Sequence, residues 1–485
     1  MSRDVILALD QGSSSTRCVA YDCRLIQRGS AVRPVATQRP SPGTVEHDPD
    51  ALLSGAVEAI REVVYGLDGR IAGIGIANQM ESFVLWERES GRAASPVVSW
   101  QDRRASDVCA AIGTSAEAAA IPAITGLALD TTFSAPKLAW LFGADASLRA
   151  RAETGELLFG DVACWLTWHL CGGTAHVTEP SNACRSLLVD LETRRWHAGL
   201  LELFDVPAAL LPEIRASDDP GACTSDAVLG FEAPVAALLG DQPAALYGQG
   251  CTSPRTAVLT LGTGAFVWLN IGSRRAEPPR GVLATAAWEL RTAGPTYAFE
   301  AFCSNAGNAL GMLPALGFAA GDAGRAPDWS LPHPVVVPAP AGLGTPHWHA
   351  VDRISVLGAS STTTAADLAL AGVAGVAHQI VDAMDSVDAR GAADVLRVGG
   401  GLSAHEGLVQ AVADLSGLEL EVTSEPEATA RGVAALAATA VGVLDAGVAA
   451  PPIARRVTPR LDEDGRARER SRWNDALEVH MRSEP

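Results

Sequence analysis

The sequence predicts an α/β architecture of two lobes around a central cleft, and three observations carry that expectation. First, an apolar strand, a tip of glycine and hydroxyl residues, and a second apolar strand occur together twice. One copy is Ile6-Leu7-Ala8-Leu9-Asp10-Gln11-Gly12-Ser13-Ser14-Ser15-Thr16-Arg17, continuing into Cys18-Val19-Ala20-Tyr21; the other is Val258-Leu259-Thr260-Leu261-Gly262-Thr263-Gly264-Ala265-Phe266-Val267-Trp268. Second, a chain of 485 residues exceeds the size at which one hydrophobic core keeps growing. Third, helical stretches alternate with short apolar strands in both halves, the pattern of a mixed sheet flanked by helices. Each repeat reads as a β-hairpin whose small tip lets N–H groups and hydroxyls converge on an anion. One in each half suggests two lobes gripping a polyphosphate from both sides.

Along the chain, the first hairpin is followed by a strand near Leu25 to Val32 and a Pro/Gly loop (Pro40, Pro42, Gly43). Asp48-Pro49-Asp50 then caps a helix from Ala51 to Tyr65, an N-terminal acid followed by proline. Ile71 to Ala77 and Phe83 to Trp86 read as buried strands joined by the polar cluster Asn78-Gln79-Met80-Glu81-Ser82. A polar cluster where a buried strand ends is where α/β proteins place substrate groups. Asp102 to Gly230 looks helical and loop-rich, an insertion on the first lobe. Ala233 to Gly240 reads as the hinge, so the lobes are expected at residues 1–238 and 239–485. The second lobe carries its hairpin, a helix near Ser304 to Leu316, a Pro-rich turn region from Pro332 to Pro346 and an Ala-rich helix from Ala365 to Met384. A strand Val395 to Val398, the triple glycine Gly399-Gly400-Gly401 and a helix near Leu408 to Ser416 follow, and the charged last thirty residues read as partly loose.

Composition narrows the partners. With 37 basic and 56 acidic residues the net charge is −19, which argues against a nucleic-acid or anionic-membrane surface. The lead-in Met1-Ser2-Arg3-Asp4 enters a strand too short for a signal-peptide core, and the stretch Val433 to Leu444 is far short of a membrane span. Nine cysteines without a C-x-x-C pair fit free thiols in a reducing compartment, so a cytoplasmic protein is expected. Arginine supplies all the other basic charge: Lys137 is the single lysine.

The P-loop, zinc-protease and hydrolase-elbow motifs are absent, which leaves phosphate handling by hairpins and carboxylates. Asp10 sits where a strand enters the first tip, placed to hold a hydrated Mg²⁺ or else to cap the turn. Arg17, just past the tip, could reach a phosphate oxygen. Asp241 lies between an apolar strand and a helix, where a carboxylate would serve as the base for phosphoryl transfer to an alcohol, or cap the helix.

With these residues in view, the chain closely resembles the FGGY carbohydrate kinases, and among them the glycerol kinases. The resemblance covers Asp10 to about Gly432. It rests on Asp10-Gln11-Gly12, Glu46-His47-Asp48-Pro49, Trp100-Gln101-Asp102-Arg103-Arg104, Gly155-Glu156-Leu157-Leu158-Phe159-Gly160, Gly240-Asp241-Gln242, Gly262-Thr263-Gly264 and Gly342-Leu343-Gly344. It implies two actin-like (ribonuclease H-like) domains closing on ATP and a small polyol or sugar, with Asp241 as base and Asp10 near the metal. By the same resemblance Ser13, Ser14, Ser15, Arg17, Gly262, Thr263, Gly307, Gly401 and His405 fall at nucleotide positions, His405 standing where the glycerol kinases have Asn. Gln79, Met80, Glu81, Trp100, Thr132, Asp241, Gln242 and Phe266 fall at acceptor positions. The glycerol kinases read Asn-Gln-Arg-Glu where this chain has Asn78-Gln79-Met80-Glu81, and tyrosine where it has Thr132; Met80 is similar to the xylulokinase pattern. Lys137, in Phe133-Ser134-Ala135-Pro136-Lys137-Leu138-Ala139-Trp140, falls on a family-signature lysine and reads as structural.

The expected function is therefore an ATP- and Mg²⁺-dependent kinase of a small polyol or ketose, with a strict glycerol kinase as the alternative and a homodimer or homotetramer as the assembly the family admits. A non-catalytic sensor on the same scaffold would be marked by loss of Asp10 or Asp241, and both are present. An actin-like polymer or chaperone ATPase would have no use for the polar cluster Asn78 to Ser82.

Overall fold

The computed structural model describes residues 4–318, 324–331, 333–349, 353–445 and 448–482; Met1, Ser2 and Arg3 of the lead-in, Pro332 and the last three residues of the charged tail lie outside them. Two mixed sheets built on one plan dominate. In the first, the order is Ala222–Cys223, Pro234–Gly240, Arg70–Asn78, Asp4–Gln11, Ser15–Asp22, Gln27–Pro34. Asp4–Gln11 pairs antiparallel with Ser15–Asp22, which pairs antiparallel with Gln27–Pro34; on its other side Asp4–Gln11 pairs parallel with Arg70–Asn78, and that strand pairs parallel with Pro234–Gly240. The second sheet repeats this arrangement. Thr256–Leu261 pairs antiparallel with Ala265–Gly272, which meets Gly294–Cys303, while the parallel side adds Val395–Gly399 and then Leu420–Thr423. Three antiparallel strands followed by two parallel ones, twice over, is the duplicated actin-like, ribonuclease H-like plan.

The local elements follow from their residues. Ile6, Leu7, Ala8 and Leu9 are all fully buried, as a continuous apolar run is when helices cover both sheet faces. Asp48 caps the helix Pro49–Tyr65 by accepting from the N–H groups of Asp50 and Ala51 at 2.9 and 3.3 Å. The Ala-rich helix spans Ala365–Ser386 and opens with a capping box between Thr364 and Asp367. No single helix among the described residues is long and apolar enough to cross a membrane.

Three expectations are corrected. Ala233 to Gly240 is no hinge: Pro234–Gly240 is a strand buried from Val235 onward and paired with Arg70–Asn78, and the expected boundary at 238/239 falls inside it. Its apolar run serves a strand covered on both faces, where a hinge would meet solvent. The Pro-rich region contains the strand Val335–Ala339, paired with Arg353–Leu357. The tail is not loose. Glu463–Arg482 is a helix whose Trp473, Ala476 and Leu477 are buried, with Trp473 Nε1 donating to Asp382 at 2.9 Å. Those apolar residues recur at helical spacing inside a charged stretch, which composition alone conceals.

In each lobe the last parallel strand leads into a helix lying between the sheets: Asp241–Gly248 after Pro234–Gly240, and Ala428–Ala440 after Leu420–Thr423. The two helices pack on each other within a core that draws Ile6, Ala8 and Leu239 from the first sheet, Val258 and Trp268 from the second, and Ala430, Val433 and Leu436 from the second helix. Glycine allows the approach. A Cβ on Gly432 would overlap the Ala244 carbonyl, and one on Gly248 would overlap that of Ala428.

Gly432→Ala should therefore destabilise the protein by about 1–3 kcal/mol, the range for overpacking a filled core. Gly143→Ala, in the exposed part of the helix Ser134–Ala144 with open space around it, should stabilise by about 0.5–1 kcal/mol. Urea unfolding of the two variants checks both signs; a neutral Gly432→Ala would show that the helices can separate freely.

Candidate active site

The first hairpin brings Asp10 opposite Arg17, with Gly12 to Ser14 as its tip. Gly12 N–H donates to the Ser15 carbonyl at 3.0 Å, which closes the turn and leaves Ser14 exposed. The second tip is built alike, with Gly262 N–H donating to the Gly264 carbonyl at 2.8 Å and Thr263 exposed. The N–H groups of Ala306, Gly307 and Asn308 donate to the carbonyls of Gly262 and Thr263. The Gly307 N–H is thus spent on the hairpin, and what this glycine provides is close approach, since a Cβ there would press on the Gly262 carbonyl. Gly400, at φ +88°, lies against the Leu261 backbone where no side chain fits and introduces Gly401 at the start of a single 3₁₀ turn. His405 caps the next helix, its Nδ1 accepting from Leu408 N–H at 3.0 Å. Only the Nε2 edge of that ring is left to meet a ligand.

Between the hairpins lies a cavity of about 130 Å³ lined by Asp10, Gln249, Thr260, Gly399, Gly400 and Glu427, among others. Burial lifts the Asp10 carboxyl to about 6 against the pull of Arg17. Arg17 itself is ion-paired with Glu427, which precedes the second crossing helix, so a phosphate would have to share it. Gln249 is fully buried and neither of its amide atoms has a hydrogen-bond partner among the described residues. No motif in the sequence marks this residue, because an amide at the end of an apolar helix has no distinguishing pattern.

Asp241 is the first residue of its crossing helix. Its Oδ1 accepts from the Gln242 N–H at 2.9 Å. Its carboxyl is pushed up to about 8, chiefly by burial and then by the like charges of Glu81 and Asp10. Gln79 links the two ends of the site: its N–H donates to the Gln11 carbonyl at 2.8 Å, and its Oε1 accepts from Ser82 Oγ at 3.0 Å. Ser82 Oγ in turn accepts from Trp100 N–H at 3.0 Å. Phe266, on the second hairpin, stacks on Phe302 with ring centroids 6.3 Å apart.

Two acceptor-side expectations change in character. Met80 is 4% exposed and packs against Gly240, next to Asp241, as part of the core between the lobes. The Thr132 hydroxyl donates to Asp130 Oδ1 at 2.6 Å, so it is committed within its own turn. A guanidinium is nevertheless present. Arg185 Nε donates to Glu81 Oε1 at 2.5 Å, its Nη1 lies 2.6 Å from Glu300 Oε2, and its plane sits 5.3 Å from the Phe133 ring centroid. Arg185, Glu81 and Glu300 are each at most 8% exposed. Glu81 holds φ at +60°, a strained backbone for a long side chain, which directs it toward this cation. Arg185 comes from 104 positions downstream of Glu81, a separation no local pattern reveals.

Duplicated ribonuclease H-like lobes, a hydroxyl-bearing hairpin tip on each and a carboxylate at the start of a helix lying between the sheets define the class of two-lobed phosphotransferases acting on small alcohols. The family model for the FGGY family of carbohydrate kinases, N-terminal domain, matches residues 5–248, and its C-terminal domain matches 257–441. The chain belongs to the FGGY family of carbohydrate kinases and is an ATP-dependent phosphotransferase with an alcohol acceptor. It is 38% identical over 492 aligned positions to a glycerol kinase of Citrifermentans bemidjiense, with 99% of each chain covered, and 38% identical over 491 to one of Aromatoleum aromaticum, with 98% of each covered. The crystal structure of Plasmodium falciparum glycerol kinase with ADP matches with a TM-score of 0.92 at 25% identity, over 100% of this chain and 99% of that one. A gluconate kinase from Lactobacillus acidophilus shares the fold, with a TM-score of 0.86 at 18% identity over 98% of this chain and 97% of that one.

Removing the cation from a buried ion triad strands two carboxylates. Arg185→Leu should lower stability by about 3–5 kcal/mol in urea unfolding, and a loss below about 1 kcal/mol would show that water reaches Glu81 and Glu300.

Proposed function

We propose that this enzyme transfers the γ-phosphoryl group of ATP to a terminal hydroxyl of a polyol or ketose of four or five carbons, with Asp241 as the general base. The observation that carries this reading is the position of Asp241, which feels the charge of both Asp10 on the phosphate side and Glu81 on the acceptor side. With Oδ1 taken by Gln242 N–H, Oδ2 is the oxygen that receives the hydroxyl proton. The exposed hydroxyls of Ser14 and Thr263, with Ser13, Ser15 and Gly262 beside them, would meet the phosphates from the two lobes, and Gly401 and the free edge of His405 the rest of the nucleotide. Glu81, Trp100, Gln242 and Phe266 would surround the acceptor.

Asp10 fits a Mg²⁺ ion that keeps most of its water. No cage of three or more acidic, histidine or cysteine side chains exists among the described residues, and Mg²⁺ is ordinarily held by one or two carboxylates plus phosphates. Its chemistry, when bound, is to neutralise charge on the phosphoryl oxygens. Gln249, with both amide atoms unsatisfied beside Asp10, would orient water in the same cavity.

The preference for a larger acceptor is supported by the two positions where the chain departs from glycerol kinases. Met80 has no donor and is packed on Gly240, while Thr132 spends its hydroxyl on Asp130, so neither supplies the directed bonds that a three-carbon triol needs. Arg185 does not replace them, because Glu81 and Glu300 occupy it. A second reading, glycerol itself, is favoured by the 38% identity to proteins named glycerol kinase across 99% of the chain.

Asp241→Asn should lower kcat by roughly 10²-fold or more, the range for loss of a general base, with nucleotide binding retained. Because only the ionised carboxylate accepts a proton, kcat/KM measured at subsaturating substrates should fall as pH drops through about 8 and level off above it. Near-normal turnover of the variant, or a flat profile, would remove Asp241 from this role.

An ADP-release screen over glycerol, tetritols, pentitols and ketopentoses should place glycerol at least roughly tenfold below the best larger acceptor in kcat/KM. Glycerol at the top of that series would establish the second reading.

A further inference from the structure

Lys137 stands out in both composition and placement. It is the single lysine in a chain with 37 lysines and arginines together, and it is fully buried on the first turn of the helix Ser134–Ala144. Its Nζ donates to the Ser99 carbonyl at 3.0 Å and the Thr132 carbonyl at 2.7 Å. Ser99 immediately precedes Trp100. From the same helical turn, Ser134 Oγ donates to the Glu81 carbonyl at 3.0 Å. One turn of helix therefore holds the backbone beside three acceptor positions that lie far apart in sequence.

A purely structural link between two carbonyls does not call for a cation. Burying an ammonium is costly, and the proton affinity of this one is pushed down to about 7 by burial, against the opposing charges of Glu81, Asp102 and Asp130. None of those carboxylates is within ion-pair distance of it, so its donors go to neutral carbonyls. Arginine, used everywhere else in the chain, carries a wide planar fork that two carbonyls drawn onto one nitrogen cannot accommodate.

We propose that Lys137 is a positioning residue that clamps the Ser99 and Thr132 segments together and thereby sets the width of the acceptor pocket between Trp100 and Thr132. This rests on the reading of those residues as the acceptor wall. The ammonium touches neither acceptor nor nucleotide; it governs which length of alcohol fits.

The test compares the wild type with Lys137→Met, which keeps the apolar stem and removes the donors, and with Lys137→Arg. For the best acceptor of the wild type, kcat/KM should fall by about tenfold or more in both variants, since small misplacements in a reacting site cost up to about a hundredfold. The ratio of kcat/KM values between acceptors of three and five carbons should change by at least about threefold, while KM for ATP stays within about twofold. Equal losses for every acceptor and for ATP would mean that the lysine only supports the fold and would overturn the proposal. Should the variants not fold, labelling the wild type with ¹³C-lysine produces a single ε-methylene signal. Saturating acceptor should shift that signal and a non-hydrolysable ATP analogue alone should not; a signal indifferent to acceptor overturns the proposal. If the wild type phosphorylates none of the alcohols, the acceptor-wall reading fails with it, whereas an active wild type with unaltered variants dismisses Lys137 alone.

Discussion

The contact between the helices Asp241–Gly248 and Ala428–Ala440 is the constraint on which the rest of this molecule depends. Two α/β lobes with covered sheets could stack in many ways, but the glycines at 248 and 432 let two backbones meet where any side chain would hold them apart. The first helix begins with Asp241 at the edge of one lobe, and the second belongs to the other. Thr429 Oγ1 donates to the Asp241 carbonyl at 3.4 Å, so Asp241 is registered against both lobes at once. A phosphoryl donor held by one lobe and an alcohol held by the other can be aligned only if that registration is close, because transfer depends on positioning more than on covalent chemistry.

The electrostatics of the cleft follow from the same geometry. Burial holds the carboxyls of Asp10, Asp241 and Glu300 above their ordinary range, and Arg185 lies directly against Glu81. On the phosphate side the available guanidinium, Arg17, is engaged by Glu427. The segments around Glu81, Trp100 and Thr132 are organised differently, with Ser82 Oγ accepting from the Trp100 N–H and with Ser134 and Lys137 donating to backbone carbonyls.

The two hairpins, the Asp48 cap, the long Ala-rich helix and the class of fold were legible in the residues, because each rests on a pattern spanning a few neighbours: apolar runs around a small tip, an acid before a proline, a 3.6-residue period. The same locality explains the failures. Ala233 to Gly240 looks like a linker until its parallel partner at Arg70–Asn78 is known, and the terminal helix looks like a charged tail until Trp473 is seen inserted beside Asp382. Around the candidate site the sequence named residues but not their engagements: His405 as a helix cap, Thr132 turned onto Asp130, and Met80 packed on Gly240.

What the sequence determined by itself was the duplicated architecture, the family, and the carboxylates at 10 and 241, since these lie in short motifs whose chemistry is local. Only the tertiary structure decided that Arg185 supplies the cation for Glu81, that Gln249 lines the cavity beside Asp10, and that the lone lysine ties the Ser99 and Thr132 segments together. Those decisions depend on contacts between segments separated by tens to hundreds of residues. Their energies come from burial and from the satisfaction of polar groups, which exist only once the chain has closed around them.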